Sequence, residues 1–188
     1  MQSELSGVSK IKIYMKNLFV LLLSMVSFSA LSQETSKSTT RPASHHKYTL
    51  KVVNFDQLQA VLKKNDNKLY VVNFWATWCK PCVAELPVFM EVNNLYQFNP
   101  QFKMILVNMD DAMEIDSRIK PFIAKNKIQM DVYILDDNKR MNEWIPAVDQ
   151  NWSGAIPATV IYRNGKKLSF KESEMNKKEL VQLIKNYL

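Results

Sequence analysis

Only two of the 188 residues are cysteine, which excludes a scaffold held by several disulfides. Three are glycine, too few for a collagen-like or low-complexity chain, and no internal repeat is visible. Histidine is confined to His45 and His46, and with no third ligand in the pattern a metal site there is not expected. No apolar run reaches the ~20 residues of a membrane-spanning helix; the longest, Leu18 to Leu31, is interrupted by Ser24, Ser27 and Ser29. The formal charge of +7 is scattered among acids and forms no basic stripe interleaved with aromatics, so no nucleic-acid partner is expected. No heptad pattern or added dimerisation segment is present, and a monomer is expected.

Lys10, Lys12 and Lys16 precede the Leu18–Leu31 run, and Ala30-Leu31-Ser32 places small residues at the offsets that cleavage needs. Residues 1–32 therefore read as a secretory signal peptide cut before Gln33. The rival reading is an uncleaved anchor, the only route by which this chain would contact a membrane. No cysteine follows the run closely enough for lipid attachment. Export to the periplasm or cell envelope is expected, where a disulfide persists. Three Lys against Glu4 leave with the leader, so the rest carries about +5 and reads as a solvated surface that favours acidic partners. Residues 33–47 are polar and read as a flexible linker, and residues 48–188 as a single domain.

Within that domain, strand patterns occupy Tyr48–Val53, Leu69–Ala76, Phe102–Met109, Asp131–Leu135 and Ala158–Arg163. Asp56 reads as the N-cap of a helix through Lys64 that carries Leu58, Val61 and Leu62 on one face. A second helix follows the cysteines to about Phe98 with Pro87 inside it, where a kink is expected. A third spans Ile115–Lys125, and a short helical or irregular stretch runs through Trp144. Asn164-Gly165 predicts a type I′ turn leading to Lys167–Lys171, and Asn176 caps a closing helix with Leu180, Leu183, Ile184 and Leu188 on its apolar side. Alternating strands and helices followed by a hairpin predict an α/β mixed sheet with helices on both faces.

Both cysteines lie together. The apolar run from Val71 reads as a buried strand that ends in Ala76-Thr77-Trp78 and delivers Cys79 and Cys82 to a helix start. Helix N–H groups and the helix dipole favour an anion there, and the thiolate is the reactive form of cysteine. Cys79, at the helix start, is placed to attack a partner's disulfide; Cys82, one turn inward, is placed to resolve the mixed disulfide. A structural bridge is the alternative, but closing so short a loop restrains little of the unfolded chain. Lys80 puts a cation beside Cys79, and Pro81 sets the first helical turn. Trp78 flanks the pair and is placed to shield it and touch partners, whereas Trp75 is equally well a core residue. Trp144 has no assignable role; Trp152, shortly before Pro157, is a candidate for the rim of a binding groove.

These residues, with Glu85-Leu86-Pro87, Gly154-Ala155-Ile156-Pro157-Ala158-Thr159 and the hairpin Tyr162 to Lys167, resemble the thioredoxin superfamily, and within it the exported TlpA/ResA-like disulfide reductases. The resemblance implies a thioredoxin-like α/β fold, with a central mixed β-sheet flanked by helices. An added helix–strand insert, around Ile115 to Leu135, is expected between the CxxC helix and the cis-proline. It implies a cis Ile156–Pro157 bond packed against the cysteines, with Ile156 offering its backbone to an extended substrate strand. It also places Glu85 beneath the thiol pair as acceptor of the Cys82 proton, since Asn73 stands where thioredoxin proper has a buried Asp.

The expected activity is disulfide exchange with envelope protein substrates, in the reducing direction, with catalytic residues Cys79, Cys82 and Glu85. Substrate contacts are expected at Trp78, Lys80, Pro81, Ile156 and Pro157. With no second Cys pair in the sequence, recycling needs a membrane thiol electron donor; no dissociable cofactor and no metal is implied. The substrate stays open: an apocytochrome, as in cytochrome c maturation, a specific envelope enzyme, or misoxidised proteins at large. Four alternatives are a disulfide oxidase or isomerase, a Cu(I) redox carrier, a non-catalytic binding module and a peroxidase. The last lacks a recognisable Thr or Cys arrangement with an Arg.

Overall fold

The computed structural model describes residues 49–188. The leader at 1–32, the linker at 33–47 with His45 and His46, and the first strand residue Tyr48 lie outside the described residues. Six strands form one sheet: β1 (Leu50–Val53), β2 (Leu69–Trp75), β3 (Phe102–Asn108), β4 (Asp131–Leu135), β5 (Ala158–Arg163) and β6 (Lys166–Lys171), in the order β1-β4-β3-β2-β5-β6. The pairs β1–β4, β4–β3 and β3–β2 are parallel, while β2–β5 and β5–β6 are antiparallel. The sheet is mixed as expected. The insert adds β4, which wedges between β1 and β3, so the added unit becomes an interior strand.

Among the described residues five α-helices accompany the sheet: α1 (Phe55–Leu62), α2 (Lys80–Tyr96), α3 (Lys120–Lys125), α4 (Met141–Val148) and α5 (Lys177–Lys185). The period of two in β2 assigns them to faces. Leu69, Val71 and Trp75 point into a core built with Leu86, Phe89 and Val92 of α2, Ile123 of α3, and Leu180 and Ile184 of α5. Tyr70, Val72 and Phe74 point the other way, to Phe55, Leu58 and Leu62 of α1 and to Trp144 and Val148 of α4. Every residue of β2 is buried, the signature of a strand covered on both faces. Among the described residues no helix is long and apolar enough to cross a membrane.

Several local expectations change. The N-cap of α1 is Asn54, not Asp56. Asn54 accepts from the Gln57 N–H at 2.9 Å while the Gln57 side chain accepts from the Asn54 N–H at 3.0 Å, a reciprocal capping box. Asp56 then sits in the first turn and pairs with Arg140 at 3.1 Å. The 115–125 helix is not uniform: Ile115–Ile119 is a π-helical turn and only Lys120–Lys125 is α-helical. Pro121 has no N–H for the Ser117 carbonyl and its ring would clash with it, so the preceding turn widens. Helix α4 runs past Trp144 to Val148. Trp144 is core, donating its indole N–H to the Asp137 carbonyl at 2.9 Å. Trp152 is core as well, not a groove rim: it packs on Phe74, Trp144 and Phe170. The Asn164-Gly165 turn has both residues at positive φ, 49° and 72°, as a type I′ turn requires. Asn176 caps α5 through a second capping box with Glu179.

Phe89, fully buried on α2, contributes to the core over β2. Phe89→Ala is expected to lower unfolding stability by about 3–5 kcal/mol in urea titration. Phe98→Ala, at an exposed ring, should stay within about 0.5 kcal/mol of the parent.

Candidate active site

Strand β2 ends at Trp75 and a three-residue loop, Ala76 to Trp78, carries the chain to α2. Cys79 is the N-cap of that helix, with its N–H bonded to the Ala76 carbonyl at 3.2 Å. Its sulfur accepts the Cys82 N–H at 3.3 Å, the interaction that an N-cap oxygen makes elsewhere. Pro81 lies in the first turn, where its missing N–H removes no helical bond. Cys79 and Cys82 are joined as a disulfide with their Cα atoms 5.3 Å apart. Both sulfur-bearing residues are buried, while Trp78 beside them is 61% exposed and Lys80 is also exposed.

The Ile156–Pro157 peptide is cis. It places the Ile156 carbonyl oxygen 3.6 Å from the Cys79 sulfur, with Pro157 buried and Ile156 partly exposed. Loop 153–156 is braced by Glu172, whose carboxylate accepts the Ala155 N–H at 3.2 Å and is bonded by Ser153. The cysteines, Trp78, Lys80, Pro81 and the Ile156–Pro157 turn therefore meet at one end of the sheet.

Glu85 belongs to the buried stripe of α2, with Cys82, Leu86, Phe89 and Val92. Only 3% of it is exposed. One carboxylate oxygen accepts the Asn73 amide at 2.8 Å and the other accepts the Met175 backbone N–H at 2.9 Å. Asn73 stands opposite Thr159 across the β2–β5 ladder and donates to its hydroxyl at 3.2 Å. Burial pushes the Glu85 carboxyl up to about 7, with Glu174 adding to the rise, while Met175, Asn73 and Lys171 oppose it. An open groove of ≈ 370 Å³ between α2 and α5, bordered by Ala84, Glu85, Val88 and Glu174, adjoins the carboxyl. Such a group can accept and release a proton near neutral pH.

The sequence singled out Glu85 and Asn73 separately. It did not reveal Thr159 or the Met175 N–H as their partners, because those contacts come from strand register and from a loop 90 residues away. It also missed Asp110, which accepts both the N–H and the hydroxyl of Thr77 in the loop leading to Cys79. An acid two residues past the end of β3, beside the strand that bears the cysteines, is the only trace of it in the chain.

The profile of the AhpC/TSA family matches residues 43–171. Thioredoxin H4-1 of Oryza sativa subsp. japonica is 31% identical over 101 residues, covering 50% of this chain and 74% of its own. The thiol-disulfide oxidoreductase ResA of Bacillus thuringiensis subsp. konkukian is 28% identical over 139 residues, covering 71% of this chain and 72% of its own. The crystal structure of a thioredoxin-family thiol:disulfide interchange protein from Chlorobium tepidum superposes with a TM-score of 0.54 at 22% identity. That superposition covers 69% of this chain and 83% of that one, and it speaks to the fold.

A carboxyl with a raised pKa binds a proton more tightly in the folded than in the unfolded chain. Its contribution is fully present below about pH 4.5 and is lost as pH rises toward about 7. The parent is expected to lose on the order of 2 kcal/mol of unfolding stability across that window, and Glu85→Gln to flatten the loss. Equal pH slopes for the two proteins in denaturant titrations at pH 4.5, 6 and 8 would contradict the assignment.

Proposed function

The chain belongs to the AhpC/TSA family and is a thioredoxin-like thiol–disulfide oxidoreductase, and from that premise we propose that it is an exported reductase of protein disulfides. The observation that carries the reading is the disulfide at the N-terminus of α2, beside the cis Ile156–Pro157 turn and with Glu85 buried on the same helix. In the reduced protein the Cys79 thiolate attacks one sulfur of the substrate disulfide. A Cys79–substrate bond forms, the substrate S–S bond breaks, and the distal sulfur leaves as a thiolate. Cys82 then gives its proton to Glu85 and attacks the Cys79 sulfur. The Cys79–Cys82 bond closes with two electrons passed to the substrate, which departs as its second thiolate. Glu85 accepts that proton only while it is itself ionised, which its value of about 7 permits at neutral pH.

Substrate contacts in this reading are the exposed Trp78 indole, Lys80 and Pro81 at the helix start, and the free backbone of Ile156, on which an extended segment pairs as an added strand. The sequence holds no second Cys pair, so an external thiol donor at the membrane restores the reduced state. The Lys-flanked apolar run at 18–31 supports export to the envelope. The protein works as a monomer. An apocytochrome, as in cytochrome c maturation, is one substrate of the required chemistry.

Direction of electron flow is read from the reduction potential of the Cys79–Cys82 pair in glutathione or dithiothreitol buffers. A value near or below about −270 mV is expected, and a value toward about −120 mV would make the protein an oxidase. Cys82→Ser is expected to accumulate a Cys79 mixed disulfide with substrate, whereas Cys79→Ser should form none. Turnover of hydrogen peroxide without a protein disulfide would favour the peroxidase alternative instead.

A further inference from the structure

The loop that presents Cys79 is three residues long, and its central residue has both of its donors taken by one side chain. Asp110 accepts the Thr77 N–H at 2.8 Å on one carboxylate oxygen and the Thr77 hydroxyl at 2.6 Å on the other. The first oxygen also accepts the Asn108 amide at 2.6 Å, and the Asn108 side chain in turn accepts the Asp110 N–H at 3.2 Å. The guanidinium of Arg118, itself paired with Glu114 at 3.0 Å, lies 4.0 Å from the second oxygen. Only 1% of Asp110 is exposed. A buried carboxylate with three neutral donors and a nearby cation is a satisfied group, so its grip on Thr77 is firm. The neighbouring Met109 N–H bonds the Trp75 carbonyl at 2.8 Å, which ties the same segment to the end of β2.

Asp110 lies two residues past the end of β3, ahead of the π-helical turn and of the added unit around Ile115 to Leu135. Its position is set by β3, which pairs with β2 up to Trp75 and Asn108, and its hydrogen bonds end one residue from Trp78 and two from Cys79. We propose that Asp110 is a positioning residue for the disulfide-exchange reaction, clamping Thr77 so that the Cys79 sulfur is held at the N-terminus of α2 and against the Ile156 carbonyl. A loop of this length without the clamp has rotational freedom at Ala76 and Trp78, and small displacements of an attacking atom are costly to rate. The segment that follows β3 thereby acts on the attacking thiol itself.

The proposal rests on Cys79 being the attacking thiol, and the test separates the two. Reduced protein is mixed with 5,5′-dithiobis(2-nitrobenzoate) in a stopped-flow instrument, below the melting midpoint of every variant, across a pH series. Asp110→Ala is expected to slow attack by about tenfold or more, and Thr77→Val, which keeps shape and N–H but loses the hydroxyl, by roughly threefold. Both should displace the midpoint of the pH–rate profile, and Thr77→Ser should return rate and midpoint to parental values. Parental kinetics in Asp110→Ala and Thr77→Val, with only the melting temperature lowered, would reduce the clamp to a structural brace and overturn the proposal. So would a Thr77→Ser variant as slow as Thr77→Val. Should Asp110→Ala not fold, the two Thr77 variants, which keep the buried carboxylate, decide alone. A reduced parent that fails to react at all removes Cys79 as the nucleophile, and the positioning role falls with it.

Discussion

Complete burial of β2 is the constraint on which the site depends. A strand covered by helices on both faces and paired on both edges cannot shift along its axis without moving apolar side chains out of both cores. Its end is thereby a fixed point, and the short loop after Trp75 delivers Cys79 to the start of α2 from there. The antiparallel partner β5 is registered on the same strand, so its first residues, preceded by the cis Ile156–Pro157 turn, reach the sulfur from the other side. Reactivity at one end of the sheet is a consequence of packing in its middle.

The face of β2 beneath α2 carries the one polar residue of the strand, Asn73, and the helix answers with Glu85. Burying a carboxylate among Leu86, Phe89 and the disulfide costs stability unless its oxygens are bonded. Asn73 and Met175 supply those bonds but do not restore the lost hydration, so the group binds its proton near neutral pH. The same desolvation that weakens the fold as pH rises lets the side chain exchange a proton near neutral pH, which the proposed transfer from Cys82 requires. Asp110, buried to a similar degree, is bonded differently: its oxygens accept from Thr77 and from Asn108, with Arg118 nearby.

Local chemistry carries part of the architecture. The β2 pattern, the Cys pair at a helix start, the type I′ turn at Asn164-Gly165 and the helix cap at Asn176 are written in adjacent residues. Neighbours that compete for one role leave it undecided. Asp56 and Asn54 are both capable caps, and the reciprocal bond with Gln57 selects Asn54. Trp152, a candidate rim residue by its closeness to Pro157 in sequence, is drawn into the core by three aromatic rings.

Sequence by itself determined that a strand would hand two thiols to a helix start, because hydrophobic run, loop and CxxC spacing are contiguous along the chain. It also determined that the fold would be a mixed sheet with helices on both faces, since alternating periodicities followed by a hairpin admit few other arrangements. Tertiary structure decided which groups come together around those thiols. Thr159 meets Asn73 through strand register, Met175 meets Glu85 across 90 residues, and Asp110 meets Thr77 across 33. Contacts at such separation depend on how strands order themselves in the sheet, and that order follows from the summed burial of two cores, which no local pattern encodes.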